Sequence, residues 1–117
     1  MNRSDNERLR DARAFAGYAR DNAGGLPADV LADALQPQRA ALFDLVVIGE
    51  TLNKVSAEVK SAAPTMEWRL IADLRNLIVH AYWQIDLDII ADVIQNRLDP
   101  LVEELNRLIA FVERSEK

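Results

Sequence analysis

Four long stretches of this chain repeat aliphatic residues every third or fourth position. Leu9, Ala12, Phe15, Ala16 and Ala19 form the first set, and Leu42, Leu45, Val46, Leu52, Val55 and Val59 the second. Trp68, Ile71, Leu74 and Ile78 form a third, and Leu101, Leu105, Leu108, Ile109 and Val112 a fourth. That spacing lines one face of a helix with 3.6 residues per turn and cannot serve a strand, whose faces alternate at every residue. The core these faces build is aliphatic, since hydrophobic residues make up 50% of the chain but aromatic ones only 6%. Four glycines and four prolines are too few for a turn-rich β-protein. The expected fold is an all-α bundle of four main helices with one or two short extra ones. A length of 117 residues places it in a single domain, 1–117.

Turn signals separate the stretches. Ser4 or Asp5 can cap a first helix running to about Asp21, and Asn22-Ala23-Gly24-Gly25 stops it. Pro27 suits a first helical turn, opening a short helix over 28–35. Pro37 opens a helix expected to run to about Ala62, before Pro64. This segment carries a second apolar side of Phe43, Val47 and Ile48, so it lies centrally in the bundle or also faces another subunit. Gly49 in its interior costs roughly 1 kcal/mol relative to alanine, which close approach of a neighbour would offset. Thr65 is the expected cap of the next helix, ending between His80 and Trp83. Gln84-Ile85-Asp86 makes a break, with Asp86 capping a helix over 87–95. Asp99-Pro100 begins or kinks the last helix, and the polar tail 113–117 is expected to fray.

Several classes of function are excluded early. Without cysteine there is no disulfide framework, thiolate metal site or cysteine nucleophile. The acidic residues offer no metal constellation, and no glycine-rich phosphate loop or Ser/His/Asp spacing occurs, so the expected chemistry uses no cofactor and no metal. The charged N-terminus lacks the apolar core of a signal sequence, and the longest apolar run, Leu45 to Gly49, is far short of a membrane span. A cytoplasmic protein without membrane partners is the expectation. A net charge of −5 argues against a broad electrostatic grip on nucleic acid, so any contact with RNA must concentrate on a few arginines.

The chemistry gathers in one octet, Arg75-Asn76-Leu77-Ile78-Val79-His80-Ala81-Tyr82, which contains the single histidine. Histidine moves protons near neutral pH, a guanidinium holds phosphate through paired hydrogen bonds, and tyrosine adds a hydroxyl and a stacking face. A structural or solvated histidine near a helix end is the blander alternative. On an ideal helix Arg75 and His80 lie about 140° apart, whereas Asn76 and His80 share a face and Arg75, Val79 and Tyr82 lie near another. Two routes bring Arg75 and His80 together: loss of helix just before His80, or a twofold axis that sets two octets side by side. The second also supplies two histidines, one to take a proton and one to give it.

With Gly49-Glu50, Asn53-Lys54-Val55-Ser56, Trp68, Ile71, the octet and Ile85-Asp86 in order, the chain resembles the HEPN superfamily, and within it the HepT-like branch of bacterial and archaeal toxins. The likeness covers most of the chain, and the Arg-x4-His-x-Tyr pattern is matched without a gap. The resemblance implies a ribonuclease toxin of a toxin–antitoxin system, cutting RNA without metal at a composite site of a homodimer. It implies as partner a minimal nucleotidyltransferase antitoxin that can transfer AMP onto the tyrosine matching Tyr82. An added phosphodiester there would repel and obstruct RNA.

On this reading His80 is the general acid or base and Arg75 binds phosphate and stabilises charge at phosphorus. The alternative for Arg75 is a salt bridge to Asp73 or Glu67. Asn76 either hydrogen bonds to His80 or a phosphate, or caps the helix end. Glu50 either orients a motif residue across the cleft or is a solvated carboxylate. Tyr82 is a modification site or a packing and stacking residue, and Trp68 and Trp83 are core or interface anchors. Two rival functions remain at this stage: a non-catalytic binding module, and an antitoxin-like partner of the nucleotidyltransferase.

Overall fold

The computed structural model describes residues 3–116, which form helices joined by short turns with no β-strand among them. Residues 1, 2 and 117, the ends of the expected domain 1–117, lie outside the described residues. Helix α1 spans Asp5–Ala23 and starts in a capping box, with Ser4 accepting from the Glu7 N–H and Glu7 accepting from that of Ser4. It ends at Gly24, and Gly25 takes a positive φ of 85°, the left-handed conformation that suits glycine. Pro27 precedes α2 (Ala28–Asp33), and Pro37 sits in the first turn of α3 (Leu35–Asn53).

The expected helix over 37–62 is in fact two. Ser56 turns extended after α3 and caps α4 (Ala57–Ser61) by accepting from the Val59 N–H. The cause is tertiary. Asp5 of α1 accepts from both the N–H and the hydroxyl of Ser56, at 3.0 and 2.7 Å, while Arg8 donates to the Lys54 carbonyl at 3.0 Å. These bonds stabilise a break whose local signal is only the capping preference of Ser56.

Helix α5 (Trp68–His80) also departs from expectation at its start. Thr65 lies in an exposed turn, and the capping position falls to Glu67, which makes no side-chain cap bond. Ala63 and Met66 are buried, and the Trp68 indole donates to the Ala63 carbonyl at 3.0 Å, so the turn closes on its apolar residues before the helix begins. A 3₁₀ turn over Tyr82–Gln84 follows, and Asp86 caps α6 (Leu87–Asp92) by accepting from the Asp88 N–H, as expected. The chain then runs through a π-helical turn, Val93–Arg97, into α7 (Leu98–Ser115). The irregularity near Pro100 thus takes the form of a widened turn just ahead of it.

Helix α3 is central, packed against α1, α2 and α5, and α1 also packs against α7. Leu9, Ala12, Ala16 and Ala19 are fully buried along α1, and Leu105, Leu108, Ile109 and Val112 are buried along α7. Ile48 joins the core, while Phe43 from the second apolar side of α3 remains 62% exposed. Along α5 only Ile78 is buried, and Trp68, Ile71 and Leu74 are half-buried. Ile71 and Leu74 line an open groove of about 590 Å³ between α5 and α7, which scarcely meet. Among the described residues no helix is long and apolar enough to cross a membrane.

Candidate active site

The octet occupies the C-terminal half of α5 and the turn beyond it. The helix holds through His80, and Ala81 donates back to the Leu77 carbonyl at 2.9 Å. The route that relied on loss of helix before His80 is therefore closed. Within one chain the arginine and the histidine stay on different sides of α5, about 140° apart. His80 is exposed, and its side chain makes no hydrogen bond among the described residues.

Arg75 is placed by the packing of α5 on α3. Gly49 faces its stem so closely that an added Cβ would lie 2.4 Å from the Arg75 Cβ and 3.2 Å from the Ile71 carbonyl oxygen. The helix penalty of this glycine is thus matched by a close approach, as its position suggested. One residue on, Glu50 accepts from the Arg75 Nη2 at 2.7 Å, and Asn76 Oδ1 accepts from Nη1 at 2.9 Å. The Arg75 Nε–H is buried without a partner. An unmade bond of that kind costs about 1–3 kcal/mol, so this guanidinium is held in a pose with donor capacity in reserve.

Several expected contacts are replaced. Arg75 pairs with neither Asp73 nor Glu67, because Asp73 lies near Arg69 and Glu67 takes Arg97 in two bonds of 3.0 and 2.8 Å. Asn76 serves Arg75 rather than His80. Glu50 pairs with an arginine of the same chain. Its second oxygen lies 3.3 Å from Lys54 Nζ, a cation the sequence reading left without a role. Lys54 and Arg75 together hold the Glu50 carboxyl below the usual carboxylate range, the Lys54 hydrogen bond contributing most. The signal for Lys54 was present as a Glu-to-Lys spacing of four at the C-terminal end of α3, but only packing shows that Arg75 completes the row.

Past the helix end, Tyr82 and Trp83 are 71% and 68% exposed, their rings edge to face with centroids 5.5 Å apart. Trp83 is therefore not a core residue of the protomer. Trp68 is half-buried, with Lys60 Nζ 5.7 Å from its ring centre. Val79, inside the octet, is also exposed, so its C-terminal end presents apolar surface. Among the described residues no group of three or more histidines and carboxylates is arranged to hold a metal ion.

A second feature escaped the sequence reading entirely. Asp44 of α3 is 5% exposed and accepts from the Asn22 side chain at 2.8 Å. Burial pushes its carboxyl up, and the Asn22 bond only partly opposes this.

A family model described as ribonuclease HepT-like matches residues 7–108. The chain is 29% identical over 76 residues to a candidate RNase of Methanocaldococcus jannaschii, covering 65% of this chain and 63% of that protein. It is 26% identical over 80 residues to a candidate ribonuclease HepT of Thermococcus cleftensis, covering 68% of this chain and 72% of that protein. The first match thus spans just under two thirds of its relative's length. No solved structure matches the chain significantly.

Proposed function

Because this chain belongs to the HepT-like ribonuclease family, we propose that it is an endoribonuclease whose site is completed by a second copy of itself. The observation that carries the dimer is the unbroken α5. It keeps Arg75 and His80 on different sides of one helix, so a single protomer cannot present both to one phosphodiester. Exposed Val79, Tyr82 and Trp83 at the end of the motif support a twofold contact there.

In the composite site one His80 takes the proton of a ribose 2′-hydroxyl, whose oxygen attacks the adjacent phosphorus. The bond from phosphorus to the 5′-oxygen breaks, and His80 of the partner subunit gives that oxygen a proton. A 2′,3′-cyclic phosphate and a 5′-hydroxyl result, and the reaction needs no metal. Arg75 binds the phosphate and stabilises the charge that builds on its oxygens, with Asn76 setting the guanidinium and Glu50 pairing with it in the free protein. The cellular role is that of a toxin controlled by a minimal nucleotidyltransferase. The exposed Tyr82 hydroxyl is the AMP acceptor, and an added phosphodiester beside Arg75 would block RNA.

RNA cleavage by purified wild type, His80→Ala and Arg75→Ala, with and without a chelator, tests the chemistry. Both variants are expected to lose at least about 100-fold in rate, within the range of general acid–base and charge-stabilising residues, with no chelator effect. Wild-type rates in either variant would end the assignment. Mass spectrometry after incubation with ATP and the cognate nucleotidyltransferase should place AMP on Tyr82, and AMP elsewhere removes that part of the reading.

A further inference from the structure

Glu50 bridges two cations with its two carboxylate oxygens: Oε2 meets Arg75 Nη2 at 2.7 Å and Oε1 lies 3.3 Å from Lys54 Nζ. The arrangement repeats what a phosphodiester offers, two anionic oxygens on one centre reaching two neighbouring donors. We infer that Lys54 and Arg75 are the two arms of a clamp for the RNA backbone phosphate, and that the Glu50 carboxylate is its resting occupant, displaced when RNA binds. The inference rests on the ribonuclease reading above and adds to it a second phosphate-binding residue and a built-in competitor.

Three features of the site support this. The Lys54 main chain is fixed, since Arg8 donates to its carbonyl at 3.0 Å, while its side chain is 59% exposed and free to follow a ligand. Glu50 is 44% exposed, so its carboxylate can swing into water without leaving a buried charge. Arg75 keeps an unpartnered Nε–H, a donor that a reoriented guanidinium can direct at a phosphate oxygen. With Glu50 in place the row Arg75–Glu50–Lys54 has one net positive charge; with Glu50 turned away the same patch offers two. On a chain of net charge −5, that gain at one spot decides whether an RNA strand is held.

The test measures binding of a fluorescent single-stranded oligouridylate in a His80→Ala background, across a salt series. Glu50→Gln should tighten binding roughly threefold to tenfold at low salt, by removing the competing charge. Lys54→Ala should weaken it by a similar factor and lower the slope of log affinity against log salt by about 0.7, the loss of one phosphate contact on a single strand. Lys54→Arg should restore the slope, and circular dichroism confirms that each variant is folded. Unchanged affinity and slope in Lys54→Ala, or weaker binding in Glu50→Gln, overturns the clamp. The two readings fail separately: normal cleavage by the wild type with an inert Lys54→Ala refutes only the clamp. Tighter RNA binding by Glu50→Gln with no cleavage by the wild type refutes only the nuclease.

Discussion

Gly49→Ala separates two effects that oppose each other at one position. In an exposed helix interior the change should stabilise by roughly 1 kcal/mol, because alanine is the better helix former. Here the new Cβ would lie 2.4 Å from the Arg75 Cβ and 3.0 Å from its Cγ. Ordinary carbon contacts are about 3.5–4.0 Å, so α5 must retreat by roughly 1 Å. The Arg75 Cβ is tied to the backbone and cannot swing aside as a side-chain tip would. Overpacking of this kind costs about 1–3 kcal/mol, and a clash with a stem belongs in the upper half of that range. The net expectation is a loss of about 1–2 kcal/mol, or roughly 4–8 °C in melting temperature for a domain of this size.

Gly17→Ala is the internal control. Gly17 also lies inside a helix, but an added Cβ there meets nothing within 4 Å. It should raise the melting temperature by roughly 2–4 °C. With Arg75 acting at the phosphate as proposed, activity supplies an independent reading, since a displacement of about 1 Å in a catalytic group can cost on the order of 100-fold in rate. Thermal denaturation of both variants, with cleavage assays on the same preparations, checks the argument. A Gly49→Ala protein that melts at or above the wild-type temperature, or cleaves RNA at the wild-type rate, refutes the claim that this glycine positions Arg75.

Two further outcomes follow from the packing. Asp5→Ala removes both acceptors at Ser56 and should cost about 1–2 kcal/mol in thermal denaturation; an unchanged melting temperature would mean that the α3–α4 break does not depend on α1. Asp44→Asn should stabilise the protein at pH 7, because burial raises the carboxyl above its ordinary value of 3.8 and disfavours the charged form in the folded state. The folded chain then binds this proton more tightly than the unfolded one, so wild-type stability falls as pH rises from 3.8 through the folded value. The advantage of Asp44→Asn should shrink as pH is lowered towards 3.8, and an equal difference at both ends removes the explanation.

The helices were legible because their signals are local. Ser4, Gly24-Gly25 and Asp86 act within a few residues of themselves, and the aliphatic spacing of α1 and α7 needs no partner to be read. The octet was legible for the same reason, as a run of adjacent residue types. The Ser56 break was not, because its stabilising groups, Asp5 and Arg8, lie about fifty positions away in sequence. The start of α5 was misread because a turn closing on buried Ala63 and Met66 outweighs the capping preference of Thr65.

By itself, then, the amino-acid order determined an aliphatic helical bundle, its approximate boundaries, the family it belongs to and the residue types able to handle a phosphodiester. Only the tertiary structure decided which charges meet. Glu50, already four residues from Lys54 along the chain, also reaches Arg75 because Gly49 lets α3 and α5 approach closely, whereas Asp73 and Glu67, nearer to Arg75 in sequence, lie with Arg69 and Arg97. Helical periodicity is a property of neighbours along the chain. Ion pairing depends on distances through space, and those exist only once the helices have packed.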